Sequence, residues 1–212
     1  MAYLLAADIG GTKTLMQLSA TSGEVVLSQR YDSRRYEDFE QLLADFMQQL
    51  GGQYPVDVAC LAVAGPVTGK RAKVTNLPWH IDANQLGNIY GFGQVLLCND
   101  FEAVGYGIEG LQQTDLLVLQ AGEPAAGSRA VIGAGTGLGQ AYLVEQAKGW
   151  QVFATEGGHA DFAPADRTQV RLLEHLFERF GHVSYERLLS GDGLVTIYHF
   201  LRDYRQYDED PD

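Results

Sequence analysis

The chain is short of cysteine, of basic residues and of long apolar runs, and each shortage argues against a class of protein. Only 2 of its 212 residues are cysteine. Neither Cys60 nor Cys98 belongs to a Cys-x-x-Cys pair, which argues against a disulfide scaffold and a thiolate metal centre. Both lie in apolar runs and are expected to be reduced core side chains. Lysine and arginine total 15 against 27 aspartates and glutamates, a formal net charge of -12. Such a surface repels polyphosphate and anionic lipid, so neither nucleic acid nor a membrane is an expected partner. A small neutral substrate, or an anionic one arriving with its own magnesium, is compatible with it. No apolar stretch approaches the ~20 residues of a membrane-spanning helix. The N-terminus also lacks the basic segment and apolar run of a signal peptide, so a soluble, cytoplasmic chain is expected.

What the sequence does contain is a core and many turns: 46% of residues are hydrophobic and 25 are glycine. The run YLLAADIG predicts a first strand ending at Asp8. LMQLSAT and EVVLSQRYD alternate apolar and polar positions and predict a meander with it. Phe39, Leu42, Leu43, Phe46, Met47 and Leu50 recur at helical spacing, and Gly51-Gly52 stop that helix. DVACLAVAGPV and GQVLLCND are nearly continuous apolar runs, the pattern of strands buried on both faces, with a short helix over 83–89 between them. This order predicts a mixed sheet with crossover helices. The second half repeats the opening: TDLLVLQAG, SRAVIGAGTGLGQAYLVEQ and GWQVFATEGG predict strands with a glycine turn. QVRLLEHLFERFG and SYERLLSGDGLVTIYHFLRDY then predict helices, and the acidic tail QYDEDPD is expected to fray. Two such halves suggest a duplicated α/β core.

Four clusters carry chemistry. In DIGGTKT, Asp8 closes an apolar strand, although a buried carboxylate costs several kcal/mol (roughly) unless it meets a cation or good donors. The following turn offers backbone amides, hydroxyls and an ammonium, which suits a metal-phosphate group; a plain Gly-Gly hairpin is the alternative. GAGTGLGQA misses the dinucleotide fingerprint at either starting glycine and leads into a strand, which removes that reading. A Gly-Thr-Gly turn between strands can still present N–H groups to a phosphate, or be an ordinary hairpin. Asn99 and Asp100 follow a buried strand at the carboxyl end where open sheets bind ligands. There Asp100 could act as a base for a hydroxyl, or the pair could cap the next helix, and both roles can coexist. In EGGHADFAP, Glu156 and His159 form a compact set of hydroxyl-binding groups, with a solvated loop as the alternative. His80, His175, His182 and His199 show no ligand-like spacing.

Taken in order, DIGGTKT, NLPW, NDFEAVGYG, GAGTGLGQA and EGGHADFAP resemble the motif series of bacterial glucokinases, from the first strand to about Tyr198. The resemblance implies the two-domain actin-like ATPase fold of sugar kinases, with domains over 1–110 and 111–212 and the substrate in the cleft between them. It implies ATP-dependent phosphorylation of glucose at its 6-hydroxyl, with magnesium, in a homodimer. Asp8 matches the acidic residue that organises magnesium, and Gly10, Gly11, Thr12 and Lys13 match the first phosphate turn. Asn99 and Asp100 match the sugar-holding residue and catalytic base, and Gly135, Thr136 and Gly137 match the second phosphate turn. Glu156 and His159 match the sugar-binding pair, and Glu186 a further sugar carboxylate.

Two departures qualify the resemblance. Related sugar kinases carry a cysteine-rich zinc motif after the loop histidine, and ADFAPADRTQV has none, so no zinc is expected. The family also runs about a hundred residues longer (a family expectation), so a truncated chain without the adenosine-holding segment is expected. Rival readings are a kinase for another hexose, a non-catalytic sugar-binding relative, which would be expected to lack Asp100, and a sugar-responsive regulator, for which a helix-turn-helix segment is missing.

Overall fold

The structure, a computed structural model, describes residues 2–123 and 125–205. The chain divides into two compact units, Met1–Gly107 and Ile108–Asp212. The acidic tail expected to fray lies outside the described residues.

In the first unit, β1 (Tyr3–Ile9), β2 (Lys13–Ala20) and β3 (Val25–Asp32) form the expected antiparallel meander. Helix α1 (Phe39–Gln49) follows, started by the Asp38 carboxylate, which accepts the Gln41 amide at 2.8 Å. It leads to β4 (Val56–Val63), which lies parallel to β1. Three short strands, β5 (Val67–Thr68), β6 (Arg71–Lys73) and β7 (His80–Asp82), make a small separate sheet. Then come α2 (Ala83–Tyr90), with its first turn capped by Asp82, and β8 (Gln94–Asn99), parallel to β4. Helix α3 (Asp100–Gly107) closes the unit. The main sheet runs β3-β2-β1-β4-β8, a mixed sheet as expected.

One face of this sheet is the core. Leu5, Ile9, Met16, Leu18 and Leu61 pack with Phe39, Leu42, Phe46 and Leu86 of the two helices, all buried. The opposite face is open: Leu4, Leu15 and Leu96 are each about two-fifths exposed. This corrects the expectation of burial on both faces for β8 and for the first part of β4, where Cys60 is exposed; at the end of β4, Leu61, Ala62 and Val63 are all buried, as expected. It also corrects the reading of the cysteines, since Cys60 is exposed and Cys98 half-buried, both as free thiols. Apolar composition signals a strand that can be covered, and α1 and α2 both serve one side.

In the second unit, β9 (Arg129–Ala134), β10 (Leu138–Gln146) and β11 (Gly149–Thr155) form an antiparallel sheet in the order β11-β10-β9. Helices α4 (Arg167–Phe180), α5 (Tyr185–Leu188) and α6 (Gly191–Arg205) follow. Leu172, Leu176, Val183, Leu188 and Phe200 form a second core cluster. The expected strand over 114–122 is absent: Gln113–Asp115 is a single 3-10 turn, and the residues after it pair with none of the strands. Leu117 and Leu119 are 83% and 90% exposed. A strand needs a neighbour for its backbone groups and a face to bury, and this segment has neither. Among the described residues no helix is long and apolar enough to cross a membrane.

The two apolar environments predict opposite responses to truncation. Phe46→Ala should cost about 3–5 kcal/mol, the range for deleting a buried aromatic ring. The double substitution of Leu117 and Leu119 by serine should change stability by about 0.5 kcal/mol or less and reduce self-association. Urea melts and sedimentation of both variants check this; a large stability loss in the serine variant would show that the segment is packed.

Candidate functional site

Strands β1, β4 and β8 run parallel, so their carboxyl ends lie on one edge of the first unit's sheet. Register places Asp8 opposite Ala62, Ala62 opposite Cys98, and Val63 opposite Asn99. Asp8 stands on the open face, yet surrounding protein holds its carboxyl above the ordinary aspartate range by partial loss of water. Asp100, the first residue of α3, is also raised, chiefly by burial and further by the negative charge of Asp8, against the lowering effect of the Phe101 amide. Two carboxylates that each hold the proton more tightly share a small region, an arrangement suited to a cation or to proton exchange.

Asn99 and Asp100 both accept the Phe101 amide, each at 2.9 Å. The Asn99 amide group points the other way and donates to the Gly65 carbonyl at 3.5 Å. The capping alternative is therefore present in the geometry, and the outer carboxylate oxygen of Asp100 is not committed to that bond.

The first glycine turn is a hairpin, with the Gly10 amide donating to the Lys13 carbonyl at 3.0 Å. Left-handed backbone is not what its glycines supply, since neither Gly10 nor Gly11 has a positive φ. Space is: a Cβ on Gly11 would stand 3.0 Å from the Thr75 carbonyl oxygen. Two residues that sequence reasoning missed support this turn. Ser33, fully buried, donates to the Gly10 carbonyl at 2.8 Å and shares a hydrogen bond with Thr14 at 3.0 Å. Arg34 places its guanidinium 3.2 Å from the Thr12 hydroxyl, a cation beside the turn. The Ser-Arg-Arg step just after β3 was their only sequence signal.

In the second unit, Gly135, Thr136 and Gly137 form the β9–β10 turn, closed by the Gly135 amide on the Gly137 carbonyl at 2.8 Å. Glu156 precedes, and His159 ends, the 3-10 turn Gly157–His159 that follows β11. His159 lies between two carboxylates, 3.5 Å from Glu156 through Nε2 and 3.7 Å from Glu186 through Nδ1. These separations exceed ordinary hydrogen bonds, so the groups retain capacity for a ligand. The other oxygen of Glu186 accepts the Leu138 amide at 2.9 Å. The structure thus gathers Gly135–Gly137, Glu156, His159 and Glu186 in one place in the second unit. Asp8, Gly10–Lys13, Asn99 and Asp100 belong to the first.

The raised carboxyls carry a pH consequence for the ligand-free chain. A group that binds its proton more tightly when folded contributes stability that is complete below its unfolded pKa and lost as pH rises through its folded value. Asp8→Asn should therefore stabilise the chain near neutrality, with the gain disappearing as pH falls below the ordinary aspartate value of 3.8. Thermal melts across that range test it, and an Asn variant that is less stable at neutral pH would contradict it.

Comparison with known proteins gives the arrangement its context. The glucokinase family model matches residues 5–212. A glucokinase from Nostoc punctiforme is 44% identical over 219 residues, covering 100% of this chain and 64% of that protein, so the chain spans about two thirds of its relative's length. The crystal structure of a glucokinase from an Antarctic psychrotroph superposes with a TM-score of 0.80 at 30% identity, over 98% of this chain and 66% of that one. The glucokinase of Balamuthia mandrillaris, solved with glucose, gives 0.74 at 26% identity, over 98% and 64%. With a mixed α/β architecture, paired glycine turns and a family match over nearly its whole length, the chain belongs to the glucokinase family.

Proposed function

We propose that the protein of which these residues form the whole or a part phosphorylates glucose with ATP. The observation that carries the proposal is the strand-end edge of the first unit. There Asp100, its carboxyl raised by burial and by Asp8, stands with Asn99 on the edge where β1 ends in a glycine turn. Glucose, bound in the Balamuthia relative, is neutral and rich in hydroxyls, which agrees with the acidic surface of this chain.

In this reading Glu156, His159, Glu186 and Asn99 bind the sugar hydroxyls by directed hydrogen bonds. Such a site discriminates against analogues lacking a hydroxyl, because its own polar groups would be left unpaired. Asp100 accepts the proton of the 6-hydroxyl as its oxygen bonds to the γ-phosphorus. The bridging P–O bond breaks, and ADP leaves with the electron pair. A raised carboxyl pKa brings the base nearer the pH at which proton transfer is efficient. The Gly10–Lys13 and Gly135–Gly137 turns bring N–H groups, the Thr12 and Thr136 hydroxyls and the Lys13 ammonium to the phosphates, with Arg34 as an added cation.

A divalent cation fits the chemistry of the donors. Asp8 supplies a hard oxygen ligand with Asp100 close by, and magnesium is commonly held by one or two carboxylates together with substrate phosphates. Bound with the nucleotide, magnesium would neutralise phosphate charge; Asp8 would be the residue that holds it.

Asp100→Asn should lower kcat by at least ~100-fold, within the range of a lost general base, with a weaker effect on glucose affinity. Coupled assays with glucose, mannose and fructose, alongside a glucose Kd, test both the base and the sugar. Near-normal turnover would leave Asp100 as a helix cap alone. Separately, Glu156→Gln and His159→Ala should each weaken glucose binding by about ten- to a hundredfold, the cost of one hydrogen bond to a charged group. Nucleotide binding should change far less. Equal losses for both ligands, measured by calorimetry, would point to a damaged fold.

A further inference from the structure

Glu186 divides its two carboxylate oxygens between two neighbours. Oε2 accepts the Leu138 amide at 2.9 Å. Oε1 faces His159 Nδ1 at 3.7 Å. Leu138 is the first residue of β10 and directly follows Gly137, the last residue of the glycine turn. The carboxylate is packed onto that turn: a Cβ on Gly137 would lie 2.5 Å from Oε2, so any larger residue there displaces it. The far end of the same turn is held from the same stretch of chain, by the Gly191 amide donating to the Gly135 carbonyl at 2.9 Å. The α5–α6 segment therefore grips both ends of the turn, at one of them through the side chain of Glu186.

We propose that Glu186 is a positioning residue for the second glycine turn as well as a sugar ligand, so that glucose and the phosphates of the nucleotide strengthen each other's binding through its carboxylate. This rests on the assignment of sugar to Glu156, His159 and Glu186, and of phosphate to Gly135–Gly137. A carboxylate has about four acceptor sites. Oε1 can therefore take a sugar hydroxyl while Oε2 keeps the Leu138 amide. A hydroxyl on Oε1 fixes the side chain in the rotamer that also holds the turn. The ligand arriving second then meets a turn already ordered, which is positive coupling without a large movement. Glu156 offers the internal contrast. It also contacts His159, but its side chain is 88% exposed and makes no capping bond to the 3-10 turn it precedes.

The test is a calorimetric cycle on this chain: glucose Kd with and without magnesium tripolyphosphate, an analogue of the nucleotide's phosphates that needs no adenosine site. In the wild type the analogue should tighten glucose by at least ~5-fold, the lower end of ordinary allosteric coupling. Glu156→Gln should weaken glucose yet keep that ratio. Glu186→Gln, whose amide has one acceptor oxygen for two tasks, should weaken glucose and bring the ratio to one. Glu186→Asp, which keeps the charge but shortens the reach, should do the same. Amide exchange supplies a local reading: Leu138 should exchange faster in Glu186→Gln than in the wild type, with the β10–β11 ladder unchanged, and added glucose should slow Leu138 in the wild type.

A wild-type ratio of one, tripolyphosphate binding that is absent or indifferent to glucose, or an unchanged ratio in both Glu186 variants would overturn the coupling. If glucose affinity is unaffected by Glu156→Gln, His159→Ala and Glu186→Gln alike, the sugar-site assignment itself fails. If glucose affinity falls but the ratio survives, only the coupling fails. Uniformly faster exchange across the second unit would mark Glu186 as a general support of the fold and also count against the proposal.

Discussion

Three parallel strands that end together are the constraint on which the first unit depends. Pairing of β1 with β4 and of β4 with β8 brings Asp8 and Asn99–Asp100, distant in sequence, to one sheet edge. Each strand then turns away, through a hairpin, a loop or a helix start. Burial of Leu5, Ile9 and Leu61 beneath the sheet fixes that register, because a one-residue slip would exchange the core and open faces.

Much of this was legible in the sequence for physical reasons. Asp8 stood out because a carboxylate rarely closes an apolar strand without a partner. Helix α1 stood out because Phe39, Leu42, Leu43 and Phe46 repeat at its period, and all four are buried. Strands β5 to β7 were invisible because two or three residues cannot show a period. Leu116 to Leu119 misled for a complementary reason. Apolarity reports that a segment gains by burial, and carries no information on whether a neighbouring strand exists to pair with it. Cys60 was misplaced by the same logic, being assigned to a core on the strength of its neighbours.

The candidate site divides along similar lines. Glycine turns and carboxylates carry their chemistry in side-chain identity, or in its absence, and can be read directly. What supports them cannot. Ser33 reaches the Gly10 carbonyl across 23 residues, and the hold of Gly191 on Gly135 is a bond between main-chain atoms. No residue type announces such a bond. Glu186 lies between the two cases: its charge marks it as a candidate ligand, while its bond to a backbone amide appears only in three dimensions.

The distances along the chain that these contacts span have a consequence for how the molecule folds. The first turn is closed by Gly10 and Lys13, near neighbours that can meet as soon as β1 and β2 begin to zip. The contact between Leu138 and Glu186 spans 48 residues and encloses β10, β11, α4 and the start of α5. Closing so long a loop carries an entropic cost that local contacts do not, and non-local contacts of this kind slow folding. Both turns can close early on nascent hairpins, the second through Gly135 and Gly137. The hold of Glu186 on the second comes only after most of its unit has condensed, so a ligand that needs that carboxylate in place samples only chains that have finished folding there.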